Sequence, residues 1–152
     1  MKLSSKGEYA LRALIVLGEN YERGIVRIQA ISEQQRIPKR FLEQILNDLK
    51  SGGFLESRRG VSGGYRLARP PEQITLAALI RHVEGAFVPM AGLIEKGRRA
   101  AQRPDEAQAA IRSVMKEVRE AILKILENVT VADLCDRVRK LRTGAGGVDY
   151  II

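Results

Sequence analysis

The chain has 152 residues, with 26 Lys and Arg against 18 Asp and Glu and a formal charge of +8. That length holds one domain or two very small ones, and the charge points to an anionic partner, nucleic acid ahead of a membrane surface. The single cysteine, Cys135, excludes an internal disulfide. No stretch reaches the apolar length of a membrane span and no signal peptide opens the chain, so the expected compartment is cytoplasmic.

Ser5-Lys6-Gly7-Glu8 reads as a capping box, with a hydroxyl at the N-cap and a carboxylate three residues on. Behind it Ala10, Leu11, Leu14, Ile15 and Leu17 predict a first helix to about Asn20. Ile28, Ala30 and Ile31 begin a short second helix that ends near Arg36. Pro38 suits the first position of a third helix, whose buried face is Leu42, Ile45, Leu46 and Leu49. Gly52-Gly53 stops it.

Two short strands follow, one with Phe54, Leu55 and Ser57, the other Tyr65 to Ala68. Gly60, Gly63 and Gly64 between them are expected to supply the positive φ angles of a hairpin. Pro70-Pro71 closes the unit, Thr75 caps a short helix from Leu76 to Glu84, and Gly85 ends it. Periodicity fades from Ala86 to Arg103, with Pro89, Gly92 and Gly97 as punctuation.

Pro104-Asp105-Glu106 starts the longest helix, to about Asn128. Ala107, Ile111, Val114, Val118, Ala121 and Ile125 form a heptad seam, and Met115, Ile122, Leu126 and Val129 add a second stripe. Two stripes mean two partners. Both can lie in the same domain, but the favoured reading gives one to a second subunit, so Ile111, Val114, Val118, Ile122 and Ile125 are the candidate dimerisation residues. Thr130-Val131-Ala132-Asp133 is another capping box, opening a last helix to about Leu141. A glycine-rich tail, "TGAGGVDYII", ends the sequence.

The fold class is therefore mainly α with a small β-hairpin. The expected domains are a winged helix-turn-helix over 1–85, a loop over 86–103, the dimerisation and C-terminal helices over 104–142, and a flexible tail over 143–152. In such an arrangement the third helix enters the major groove. Arg40, Glu43, Gln44 and Asn47 share its outward face, and these side-chain types can read base edges. Lys39 and Lys50 flank them, suited to phosphates. The hairpin carries Arg58, Arg59, Arg66 and Arg69, and an Arg on a slim hairpin can enter a narrow minor groove. Taken singly, a mixed-charge helix face is usually only solvated and a glycine hairpin only a turn. Their order on a basic chain lifts the DNA-binding reading. No phosphate-binding loop or nucleophile–base pair appears, so an enzyme is not expected.

The stretches "MKLSSKGEYALRAL", "FLEQILNDLKSGGFLESRRGVSGGYRLARPPEQIT" and "EGAFVP" resemble the IscR family of bacterial winged-helix transcription regulators. Leu42-Glu43-Gln44 and the Arg-Gly-x-x-Gly-Gly-Tyr run from Arg59 to Tyr65 match the family pattern in full, and the likeness extends to about Val138. The resemblance implies a homodimer on a partly palindromic double-stranded operator. It also implies Glu43 and Gln44 in the major groove, Arg59 in the minor groove, and Ser5, Lys6 and Tyr9 near phosphates.

Many members of that family hold an iron–sulfur cluster through cysteines between the short and long helices. Here that region is "AFVPMAGLIEKGRRAAQRPDEAQ", with no Cys and no His, so no cluster or other cofactor is expected. Cys135, on the face of Leu134 and Val138, reads as a small core residue, and His82 as a surface or satisfied histidine. The family's cluster-free branch includes the cysteine-metabolism repressor. By that resemblance, Tyr150, Ile151 and Ile152 form a tail that enters O-acetylserine sulfhydrylase. Its other readings are packing on its own dimer, strand addition elsewhere, or no role. The alternatives for the whole chain are an enzyme-binding regulatory subunit, a regulator of an unknown small ligand, and a membrane-surface protein. The mixed charges of the long helix fit the last poorly.

Overall fold

The computed structural model describes residues 3–85 and 105–144. Its elements are α1 (Ser5–Glu19), α2 (Ile28–Gln35), α3 (Lys39–Ser51), β1 (Leu55–Arg58), β2 (Gly64–Leu67), α4 (Leu76–Glu84), α5 (Glu106–Glu127) and α6 (Val131–Arg142). Short 3-10 turns lie at Tyr21–Arg23 and Pro71–Gln73. Residues 86–104 and 145–152, which include the expected loop, Pro104 and the candidate tail residues, lie outside the described residues.

α1 begins one residue earlier than expected. Its cap is Ser4, whose hydroxyl accepts from the Gly7 N–H at 3.0 Å. The reciprocal carboxylate is not Glu8, which pairs with Arg12, but Glu84 at the end of α4. Glu84 accepts from both the backbone N–H (3.2 Å) and the hydroxyl of Ser4. A Cβ at Gly7 would collide with that carboxylate. Pro38 likewise caps α3 from outside, with Lys39 as its first residue.

The hairpin is antiparallel, pairing Leu55 with Leu67 and Arg58 with Gly64. Phe54 and Ala68 lie just beyond it, joined by an N–H to carbonyl bond of 2.9 Å. Of the three wing glycines only Gly60 has positive φ, at 110°. Gly63 and Gly64 are needed for space instead: a Cβ on Gly63 would strike the Arg58 carbonyl, and one on Gly64 the Val26 carbonyl. Val26 and Tyr65 exchange two backbone hydrogen bonds of 2.8 Å, which ties the wing to the segment before α2.

One apolar core joins the helices of the DNA-binding order to the C-terminal helix. Leu14, Leu17, Ile31, Leu42, Leu46, Leu49, Leu67, Ile74, Leu79 and Val131 are fully buried within it. α6 enters it through the expected Thr130–Asp133 capping box. Backbone bonds from Leu76 to Val129 (2.8 Å) and from Val131 to Ile74 (2.9 Å) brace the start of α6 against α4. Where α1 and α6 meet, Gly18 leaves room for Cys135. A Cβ there would lie 2.8 Å from the sulfur.

α5 is different: none of its residues is buried. Ile111, Val114, Met115, Val118 and Ile125 are exposed, whereas Ile122, Leu123 and Leu126 are half-buried. The heptad seam is thus exposed, whereas the second stripe is exposed at Met115 and half-buried at Ile122 and Leu126.

Cys135 is buried in the core, and its thiol reaches the Ile15 carbonyl at 3.5 Å. Burial, helped by Glu19, pushes the thiol from 9.0 up to about 11. The folded state then holds this proton more tightly than the unfolded chain does. The stabilisation is complete below pH 9 and is lost as pH rises toward about 11. Denaturant titrations across that window should show a fall in stability that Cys135→Ala lessens. Equal slopes in both proteins would contradict this placement of the thiol.

Candidate nucleic-acid interface

α3 supplies the centre of the site. Its apolar stripe, Leu42, Ile45, Leu46 and Leu49, is turned into the core. Lys39, Arg40, Glu43, Gln44, Asn47 and Lys50 are consequently all exposed. Phe41 is exposed beside them, with the Arg40 guanidinium 5.0 Å from its ring centre. That stacking favours a fixed ring over a freely rotating one.

The N-terminus of α1 lies along one flank of this helix. Ser5, Lys6 and Tyr9 line a cleft of about 470 Å³ together with Phe41, Gln44 and Ile45. Lys6 reaches Asp48 of α3 at 3.1 Å with half of its side chain still exposed, so it remains open to a phosphate. Asp48 also anchors α4. His82 Nε2 lies 2.9 Å from the Asp48 carbonyl oxygen and 3.4 Å from its carboxylate. The His82 ring rests tilted against Phe54, 5.4 Å between centres. Of the two sequence readings, surface or satisfied, the second fits better, since one ring nitrogen has a partner.

The wing forms the other flank. A second cleft of about 440 Å³ is lined by Arg27 and Gln29 at the start of α2, by Asn47 and Lys50 of α3, and by Arg58 and Arg59 of the wing. These cations and amides face one space, the arrangement a polyanion requires. Arg66 is placed differently: it pairs with Glu56 across the hairpin at 2.9 Å. Its charge is partly answered within the protein. Val61, at the wing tip, is 95% exposed.

Sequence reasoning did not single out Arg27, Gln29 or Phe41. Arg27 and Gln29 join the cleft only because Val26 bonds to Tyr65, a long-range contact without local signature. Phe41 was legible in principle, since it lies off the apolar stripe of α3.

A recognition helix flanked by a helix N-terminus and an arginine-bearing hairpin defines a winged helix-turn-helix DNA-binding transcription regulator. The Rrf2 family profile, described as an iron-dependent transcriptional regulator, matches residues 3–137, and the chain belongs to the Rrf2 family. It is 35% identical to an rrf2-like HTH-type regulator of Rhodobacter capsulatus, over 87% of this chain and 91% of that one. The solved structure of CymR, the global cysteine regulator of Bacillus subtilis, is similar at TM-score 0.75 and 28% identity, covering 90% of this chain and 98% of its own. IscR of T. potens gives TM-score 0.73 and 30% identity, with 91% and 88% covered. The relatives are transcription regulators, and this protein is a regulator too, not an enzyme.

The donors among the described residues do not fit the iron of the family description. Cys135 is a lone thiol buried in the core, whereas a cluster is held by several thiolates. His82 is engaged with Asp48. Among the described residues no three His, Cys, Asp or Glu side chains converge.

The wing geometry separates its arginines by experiment. Arg59→Ala should weaken DNA binding at least tenfold and flatten its salt dependence, since a contact that displaces counterions is lost. Arg66→Ala should cost much less. Titrations by fluorescence anisotropy at several salt concentrations decide, and equal losses would contradict the placement of Arg66.

Proposed function

We propose that the protein is a homodimeric, cluster-free repressor acting in the cytoplasm on a partly palindromic operator, with cysteine metabolism as its field of control. The observation that supports this reading is the pair of clefts flanking α3, one lined by Lys6 and Gln44, the other by Asn47, Arg58 and Arg59. In this reading Arg40, Glu43, Gln44 and Asn47 read bases. Arg58 and Arg59 track the minor groove, and Ser5, Lys6, the Tyr9 hydroxyl, Lys39 and Lys50 hold phosphates.

The dimer is supported by α5. Exposure of Ile111 (53%), Val114 (56%), Val118 (43%) and Ile125 (63%) on one helix is costly in water. Their heptad spacing matches the same face of a second copy, and an isologous pair presents two reading helices to two half-sites. Ile122, half-buried, contributes at the edge of that seam.

The cysteine assignment rests on the likeness to CymR and on the run Asp149-Tyr150-Ile151-Ile152. In this reading Ile152 enters the substrate pocket of O-acetylserine sulfhydrylase and Tyr150 packs at its rim. O-acetylserine competes for the same pocket. Any effect on operator occupancy requires the enzyme to bind free and DNA-bound regulator with different affinities.

Val118→Glu should convert the dimer to a folded monomer and lower operator affinity by at least tenfold, because an unpaired carboxylate is costly in an apolar seam. Sedimentation and gel shift are the measurements, and an unchanged dimer would overturn the seam. Calorimetry with the sulfhydrylase should show binding by the chain ending in Ile152, none after Ile152 is removed, and competition by O-acetylserine. Equal binding by the shortened chain would remove the enzyme from the account.

A further inference from the structure

The reading face has an apolar flank that hydrogen bonding to bases does not use. Phe41 is 44% exposed, although four neighbouring apolar residues of the same helix are 5% exposed or less. It is not core surplus, since Leu42, Ile45, Leu46 and Leu49 already fill the buried stripe. It forms one wall of the cleft between α1 and α3. Tyr9, partly buried against the core, lines the same cleft, together with the apolar Ile45. The polar lining comes from Ser5, Lys6 and Gln44. An apolar recess bordered by a lysine and an amide, continuous with a base-reading helix, suits a ligand that is apolar at its edge and anionic behind it.

The major-groove edge of DNA offers one such group. Thymine carries a C5-methyl there, while the adenine of the same pair shows N7 as acceptor and N6 as donor. Gln44 can take the adenine with its amide, and Phe41 shares its cleft. The Arg40 guanidinium, 5.0 Å from the Phe41 ring centre, braces the ring.

We propose that Phe41 and Tyr9 form a site for the C5-methyl group of a pyrimidine, thymine in unmodified DNA, so that Phe41 determines specificity beside Gln44. This inference rests on α3 entering the major groove. One methyl contact corresponds to about a fourfold change in affinity, the equivalent of roughly 0.8 kcal/mol per buried carbon.

The test begins with a binding site selected from random DNA by the full-length protein. Each thymine is then replaced singly by uracil, which removes only the methyl. At one thymine per half-site the wild-type protein should lose about fourfold in affinity. Phe41→Ala should bind the thymine site less well and no longer distinguish uracil. Phe41→Leu, which keeps an apolar side chain, should retain part of the discrimination. At the same position 5-methylcytosine should bind better than cytosine, which separates the methyl from the thymine carbonyl. A flat uracil series at a site still bound selectively overturns the inference, as does full uracil discrimination by folded Phe41→Ala. Should that variant not fold, the wild-type series and Phe41→Leu decide. If no sequence is enriched at all, the major-groove reading itself fails, and this site with it.

Discussion

The burial of Leu42, Ile45, Leu46 and Leu49 is the constraint on which the site depends. Each such side chain contributes roughly 1.5–3 kcal/mol when removed from water, so rolling α3 about its axis would cost several kcal/mol. The helix is therefore locked in azimuth. What remains outside is a set of side chains with mixed donor, acceptor and apolar character, held at fixed angles to one another. A reading surface needs that rigidity, because a base edge is recognised through geometry at the scale of a single hydrogen bond.

Around this helix the flanks are fixed by contacts between distant parts of the chain. Glu84 closes the first turn of α1, Asp48 gathers Lys6 and His82, and Val26 holds the wing through Tyr65. Gly64 makes the Val26 approach possible by its lack of a side chain, and Gly63 does the same for the turn at Arg58. α6 and α4 are then sewn together at Thr75 and Thr130. The C-terminal helix thereby becomes part of the body that carries the reading face, since Val131 and Cys135 lie in the same core as Leu14 and Leu17. α5 packs against α4 on one side and leaves its heptad seam in water on the other.

Most of this order was readable from the sequence, because helical periodicity and caps are local. The Thr130–Asp133 box, the Thr75 cap and the apolar stripe of α3 all depend on residues within one or two turns of each other. Ser4 displaced Ser5 as the cap of α1 because its second partner, Glu84, is 80 residues away. Gly63 and Gly64 looked like positive-φ residues because glycine usage alone does not distinguish freedom of rotation from lack of space. Arg66 stood level with Arg58 and Arg59 until the register placed Glu56 opposite it. The two stripes of α5 have equal periodicity, and only the packing of α4 against it distinguishes Ile122 from Val118. Phe41 is an instructive case. A pattern-based reading sorts residues into an apolar inside and a polar outside, so an aromatic side chain on the outside face is passed over.

In the proposed complex α3 occupies the major groove while the wing lies in the minor groove beside it. Dimethyl sulfate interference tests this directly, because the reagent methylates guanine N7 in the major groove and adenine N3 in the minor groove. Interference is expected at guanine N7 within each half-site and at adenine N3 displaced from it toward the wing. Interference confined to one groove, or none at either position on a bound site, would contradict it.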